Sequence, residues 1–192
     1  MINKKLAIFD FDYTLAKTSE CLWLWSPRGS RSYDNKKYTP IHPSSFSKIN
    51  LADDEYLDDS SFKEFYKLDL DNCKGIGLTL TLLDYYSTKI DNYDSYILTA
   101  RPPEAETDVR LFLKANNINE NKINYVGLKN SDPILKIKYI KNLLSQKKYE
   151  EILIYEDNLY VIKNIDSLIK EYKIKKYYIQ SNIDNYKITC YE

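Results

Sequence analysis

The sequence predicts one α/β domain, spanning residues 1–192: a central parallel sheet with helices on both faces and a small insertion after the first strand. Three observations carry this expectation. Apolar runs too short for helices recur along the chain, and segments of helical period alternate with them through the second half. The length of 192 residues, 43% hydrophobic, suits one sizeable core and is short for two. Strands alternating with helices pair in parallel through right-handed crossovers, and such a sheet needs cover on both faces.

The first run, Leu6 to Phe11, reads as a buried strand, with Lys4 and Lys5 ahead of it. SYILT (Ser95 to Thr99), INYV (Ile123 to Val126) and EILIY (Glu151 to Tyr155) read the same way, and KYYIQ (Lys176 to Gln180) and YKITC (Tyr186 to Cys190) add two more. Between them, Glu104 to Asn116 carries Val109, Leu111, Phe112 and Leu113 behind an acidic first turn and Pro102-Pro103, where a helix start tolerates proline. Asp132 to Ser145 opens on Asp-Pro, an N-cap and first position, and spaces Leu135, Tyr139, Ile140, Leu143 and Leu144 along one face. Leu159 to Tyr172 places Val161, Ile162, Ile165, Leu168 and Ile169 similarly, and Gly75 to Tyr86 forms a helix leading into the second strand.

Residues 26–72 break the alternation. SPRGSRSYDNKKYTPIHPSSFSK is polar, with three prolines and little period, and reads as a long loop. An acidic patch, Asp53 to Asp59, and a helix around Phe62 to Leu68 follow, so the segment is expected to be a loop-rich flap or minimal cap.

Lysine plus arginine (28) balance aspartate plus glutamate (28), which excludes a broad field attracting nucleic acid or an anionic membrane and leaves only local patches. Cys21, Cys73 and Cys190 are scattered and odd in number, as expected of idle thiols in a reducing compartment. No apolar run approaches the ~20 residues of a spanning helix, and acids interrupt the N-terminal apolar segment at once, unlike a signal peptide. A soluble intracellular protein without a membrane partner is the expectation.

Ligands of parallel sheets bind beyond the carboxyl ends of the strands. Asp10, Thr99 and Asp157 fall there. In IFDFDYTL (Ile8 to Leu15), Asp10 and Asp12 are two residues apart, and on an extended strand both carboxylates would share one side and repel. A divalent cation with a preference for oxygen ligands relieves that repulsion, and Glu156-Asp157 after EILIY brings further carboxylate. A phosphate drawn to the cation needs donors: the Thr99 hydroxyl and the Lys136 ammonium, one turn into its helix, supply them, with Lys138 as the competitor for the second role.

The order DxDxT, threonine after a strand, lysine at a helix start and an acidic pair after another strand resembles the haloacid dehalogenase (HAD) superfamily of phosphatases, over Lys5 to Glu20 and Tyr96 to Leu168. The resemblance implies a Rossmann-like fold and a Mg²⁺-dependent phosphohydrolase. Asp10 would be the nucleophile that forms an aspartyl-phosphate, and Asp12 the acid/base, its backbone carbonyl touching the metal. Thr99 and Lys136 would hold the phosphoryl group, and Asp157 would complete a Mg²⁺ site with Asp10 and Asp12. Glu156 would ligate through water or orient a neighbour. Tyr13 stands where glycine or asparagine is common, while polymerase C-terminal-domain phosphatases also carry DxDYTL. FDFDYTL with Trp23 and Trp25 downstream, ILTAR (Ile97 to Arg101), GLK (Gly127 to Lys129) and IYEDN (Ile154 to Asn158) look like the phosphatase-like domain of Swiss-army-knife RNA repair proteins, differing at Ala100 and Asn158.

That closer resemblance implies a nucleic-acid end or a nucleotide as substrate. A small phosphorylated metabolite or a phosphoprotein is the alternative, and a non-catalytic binding module the rival from another class. Arg101 is placed to reach a substrate phosphate or base, or to form a surface salt bridge. Arg28, Arg31, Lys36 and Lys37, interleaved with Tyr33 and Tyr38, would track a nucleic-acid backbone and stack bases, or form only a polar loop. Lys129 reads as a solvated strand-end lysine, and His42, the single histidine, has no catalytic assignment.

Overall fold

A computed structural model describes residues 4–42, 50–147, 149–168, 172, 174–181 and 186–191. Its centre is a six-stranded sheet in the order β11-β10-β9-β1-β7-β8. The strands are β1 (Lys5–Phe9), β7 (Tyr93–Thr99), β8 (Ile123–Gly127), β9 (Glu151–Glu156), β10 (Ile174–Ser181) and β11 (Tyr186–Tyr191). β1 pairs in parallel with β7 on one side and β9 on the other, and only β11 runs antiparallel, against β10. The chain grows outward from β1 to β7 and β8, then crosses back to β9. That reversal makes the carboxyl ends of β1 and β9 the switch point where a ligand crevice opens.

Alternation along β1 explains the two cores. Ala7 and Phe9 face α1 (Gly77–Asp84) and α2 (Glu106–Ala115) through Leu80, Leu83, Val109 and Phe112. Leu6 and Ile8 face α3 (Pro133–Gln146) and α4 (Leu159–Leu168) through Ile137, Ile140, Val161 and Ile165. Helices therefore cover both faces, and β1 is buried on each side from Leu6 onward. Asp132 caps α3 by accepting from the Ile134 amide at 2.9 Å, with Pro133 at the first position. α4 ends at Leu168, so Ile169 of the expected helix lies outside the described residues. No helix of the described residues is long and apolar enough to cross a membrane, and Cys21, Cys73 and Cys190 are all free thiols.

The insertion departs from its expected form and bounds. Two short paired strands, β2 (Ala16–Lys17) and β6 (Lys74–Gly75), make a stem from which residues 18–73 emerge, a wider span than 26–72. The expected long loop contains β4 (Arg31–Tyr33) and β5 (Lys36–Ile41), which with β3 (Leu22–Trp25) form an antiparallel sheet in the order β3-β5-β4. Its turn is Asp34-Asn35, both at positive φ (48° and 61°), the two-residue hairpin geometry that these residue types tolerate best. Trp23, Trp25 and Tyr38 form a small aromatic core, with Trp23 stacked on Tyr38 at 4.5 Å. In place of an α-helix around Phe62 to Leu68 there is a 3₁₀ segment, Asp59–Tyr66, capped by Asp58. Residues 43–49 of the insertion lie outside the described residues.

Candidate active site

Asp10 is the first residue past β1. Its amide donates to the Tyr155 carbonyl at 2.9 Å, which keeps it in line with the strand while the chain turns away behind it. The Leu15 and Ala16 amides both donate to the Phe11 carbonyl, closing a tight turn, and Tyr13 sits inside it at φ 60°. A tyrosine in the left-handed region is strained, a condition that clusters at functional sites. The strand thus ends before Asp12, so the extended backbone expected to align the two aspartates is not present there. Asp12 still raises the proton affinity of Asp10 through space.

The carboxylates that converge are Asp10, Glu156 and Asp157, each offering an oxygen within 4.8 Å of the others. Glu156 is the last residue of β9 and Asp157 the first beyond it. Lys136, in the first turn of α3, lies between them: its Nζ is 2.8 Å from Asp10 Oδ1 and 2.9 Å from Glu156 Oε2. The Asn158 amide donates to Glu156 Oε1 at 3.0 Å, and Asn158 Oδ1 in turn accepts from the Tyr160 amide at the start of α4.

Three carboxyls share one ammonium in a buried place. Burial, Glu156 and Asp12 outweigh Lys136 and push Asp10 up to about 7. Burial, Asp10 and Glu156 push Asp157 well above the ordinary carboxylate range. Burial disfavours the Lys136 charge, but Asp10 and Glu156 prevail and hold its proton more tightly than usual. The site carries a deficit of positive charge that protons or a hard cation would fill, and an all-oxygen donor set fits such a cation.

Thr99 ends β7 and is fully buried, and its Oγ1 accepts from the Arg101 amide at 3.2 Å, which leaves its own O–H to donate elsewhere. Thr99, Asp10 and Asp157 therefore stand at the carboxyl ends of three adjacent strands, as expected. Lys136, and not Lys138, meets Asp10.

Asp12 and Arg101 depart from expectation. The Asp12 carboxylate is not one of the three clustered groups: Oδ1 accepts from Arg101 Nη2 at 2.8 Å and from Thr18 Oγ1 at 2.7 Å, and Oδ2 accepts from Arg101 Nε at 3.0 Å. Arg101 has no exposed side-chain surface, so it is neither a surface salt bridge nor a free donor for a substrate phosphate. Its Nη2 also meets Glu20 at 3.0 Å, and Nη1 donates to the Lys67 carbonyl at 3.2 Å. Burial opposes its charge, and Asp12 and Glu20 outweigh burial.

The stretch expected to track nucleic acid is committed elsewhere in part. Arg28 pairs with Asp54 and Glu55, and Tyr38 is buried against Trp23, so neither is offered to a base or a phosphate. Arg31, Lys36 and Lys37 are exposed, and Tyr33 is covered by Lys63. Lys129 is exposed at the strand end, 3.9 Å from Glu104 and above the Tyr66 ring. His42 meets the Tyr13 hydroxyl, and burial lowers its proton affinity.

Sequence reasoning passed over Thr18 and Glu20, both buried. Neither strand nor helix period marks them, because they lie on an irregular stem. Glu156, expected to ligate through water or to orient a neighbour, is itself one of the three clustered carboxylates and meets Lys136. Asp157 reaches the same place only because β9 has ended.

Fold and site together define a mixed α/β protein with a largely parallel central sheet and a buried acidic cluster at its switch point. No protein-family model matches the sequence, and no curated protein matches it. Two solved structures of the Legionella pneumophila effector Ceg4 are similar in fold. One carries an N-terminal TEV protease cleavage sequence and the other an N-terminal yeast Hog1p sequence. Each is 13% identical and covers 93% of this chain; 87% and 88% of theirs are covered, with TM-scores of 0.50 and 0.51.

Proposed function

We propose that the protein is a Mg²⁺-dependent phosphohydrolase of the HAD type, acting through a phosphorylated Asp10. The observation that carries this reading is the buried Asp10 carboxylate at the end of the central strand, 2.8 Å from the Lys136 ammonium and clustered with Glu156 and Asp157. An ordinary structural aspartate has no use for two more acids beside it.

Asp10, Glu156 and Asp157 would hold the cation, with Asp12 contributing at most its backbone. Bound there, Mg²⁺ would neutralise charge on the phosphoryl oxygens and on the acids themselves. Lys136 favours the ionised form of Asp10 against its burial and draws a phosphoryl group toward it. The Thr99 hydroxyl, fixed as an acceptor by the Arg101 amide, turns its hydrogen to a phosphoryl oxygen. Asp10 is then the nucleophile and Asp12 the group that exchanges a proton with the leaving oxygen and later with water. Burial at the sheet end excludes bulk water from the nucleophile, with Asp10 only 5% exposed.

Phosphate esters in general are the proposed substrates: Arg28 and Tyr38 of the stretch expected to read nucleic acid are engaged within the insertion, while Arg31, Lys36 and Lys37 stay exposed and single out no leaving group. Hydrolysis of p-nitrophenyl phosphate with and without Mg²⁺, in the native protein and in Asp10→Asn, tests the reaction. Metal-dependent turnover lost in Asp10→Asn is the expected result, and its absence in the native protein refutes the reading in favour of a binding module. A panel of oligonucleotide 3′-phosphate, nucleoside monophosphates, sugar phosphates and a phosphopeptide then ranks the leaving groups.

A further inference from the structure

We propose that Arg101 is a positioning residue: from a wholly buried site, braced by the insertion, it fixes the Asp12 carboxyl in the one orientation from which that group exchanges its proton with substrate. The inference rests on the phosphohydrolase reading and deepens it, because it makes Thr18 and Glu20 of the insertion part of the reaction's machinery.

The guanidinium is held along its edges and set against two aromatic rings. Its Nε and Nη2 edge meets both oxygens of Asp12, Nη2 also meets Glu20, and Nη1 meets the Lys67 carbonyl. Phe11 and Phe65 lie over the group at 5.6 and 5.4 Å. The brace continues outward. The second Glu20 oxygen accepts from the Asp69 amide at 2.8 Å, and Asp108 of α2 accepts from the Leu68 amide at 3.0 Å. Lys67 and Leu68 are thus pinned to the sheet domain through Arg101 and Asp108, and Asp69 to Glu20 within the insertion.

A simple staple would look different. Arg101 with Glu20 would already be a charge-neutral link between insertion and sheet, its Nη1 met by the Lys67 carbonyl and its Nε needing only a neutral acceptor. Adding the Asp12 carboxylate makes the buried group net negative, which costs desolvation that a staple has no need of. The geometry also separates the two Asp12 oxygens. Oδ1 accepts from Nε, Nη2 and the Thr18 hydroxyl, at 3.2, 2.8 and 2.7 Å. Oδ2 accepts from Nε alone, at 3.0 Å. Oδ1 is the anchored oxygen, and Oδ2, on a side chain still 17% exposed, is the one that exchanges the proton.

In the forward step an Asp10 oxygen bonds to phosphorus and the P–O bond to the leaving group breaks. Its electron pair stays on that oxygen, which takes the proton from Asp12. In the return step water attacks phosphorus, its proton passes to Asp12, and the bond from Asp10 to phosphorus breaks. Loosening Asp12 therefore harms an ester in proportion to how much its leaving oxygen needs a proton.

The experiment compares phenyl phosphate with p-nitrophenyl phosphate, two esters of nearly one shape whose leaving groups differ in basicity. The native protein is set against Arg101→Lys, Thr18→Val and Thr18→Ser with Mg²⁺ present, and kcat/KM reports the steps through leaving-group release. Arg101→Lys is expected to lower kcat/KM about 30-fold for phenyl phosphate and about 3-fold for p-nitrophenyl phosphate, in line with the 10²–10⁴-fold contributed by positioned acids. Thr18→Val shows the same bias at smaller size, and Thr18→Ser restores it. The thermal shift given by Mg²⁺ alone stays within about 2-fold of native, because Asp10, Glu156 and Asp157 are untouched. Equal losses on both esters, or a loss of the Mg²⁺ shift, make Arg101 a staple and overturn the proposal. Should Arg101→Lys fail to fold, Thr18→Val decides. A native protein that hydrolyses neither ester refutes the underlying phosphohydrolase reading, a separate outcome.

Discussion

Replacing Lys136 by methionine keeps the length and apolar stem of the side chain and removes only the ammonium that stands 2.8 Å from Asp10 and 2.9 Å from Glu156. Three carboxyls then face one another with no fixed cation among them. Breaking a buried ion pair from one side costs roughly 3–5 kcal/mol, because the remaining charge is left uncompensated. For a domain of this size that corresponds to a fall in Tm of about 10 °C, at roughly 2–4 °C per kcal/mol. The loss depends on pH in a defined direction. With Lys136 present, Asp10 already lies at about 7, so without it the cluster takes up protons readily in mild acid and the penalty shrinks. Chemical denaturation without divalent cation, at about pH 5.5 and about pH 7.5, should show the larger deficit at the higher pH, and added Mg²⁺ should recover more stability in the variant than in the native protein. A deficit below about 1 kcal/mol at the higher pH, or one equal at both, refutes the claim that Lys136 neutralises this cluster.

The same charge deficit shapes the native protein. An acid whose folded-state pKa is raised binds its proton more tightly when folded, so Asp10 should make the metal-free protein progressively less stable as pH rises from about 4 to about 7; Asp10→Asn should flatten that slope in a Tm-versus-pH profile. Glu64 accepts from the Cys21 amide at 2.8 Å and from Trp23 Nε1 at 2.5 Å, so Glu64→Ala should loosen the insertion by about 1–3 kcal/mol. Both tryptophans lie in β3, so their fluorescence should report that loosening at lower denaturant than far-UV circular dichroism reports the sheet. At Gly127 an added Cβ would stand 2.7 Å from the Arg101 carbonyl oxygen and from Pro102 C, both backbone. Gly127→Ala should therefore cost about 1–3 kcal/mol in a melting experiment and displace the turn that carries Thr99 and Arg101.

The centre of the sheet was legible because β1, β7 and β9 are buried along most of their length and therefore read as continuous apolar runs, bounded by polar residues at the carboxyl ends. EILIY followed by Glu156 and SYILT ending in Thr99 each announce both a strand and the place where chemistry can begin. α3 was legible for a local reason, the Asp-Pro cap, and the same feature put Lys136 in the first turn, where it reaches β1. What joins these pieces is topology. The return of the chain from β8 to β9 across β1 brings positions 10, 136 and 157 together from three separate segments.

The insertion was illegible because its stability is not periodic. Its strands are three to six residues long, β4 is exposed throughout, and its core is three aromatic rings closed by hydrogen bonds that the two indole N–H groups donate to Asp58, Ser60 and Glu64. No hydrophobic pattern records bonds of that kind. The same gap hid the environment of Asp12. From sequence, Asp12 differs from Asp10 only by two positions, and its separation from the cation cluster depends on a turn at Phe11 to Ala16 and on an arginine 89 residues away. A strand that stops two residues earlier than its apolar run suggests thereby divides two nearby carboxylates between two environments, one crowded with acids and one gripped by a guanidinium. Division of that kind is what a nucleophile and a proton carrier require of identical side chains, and it follows from where regular structure ends.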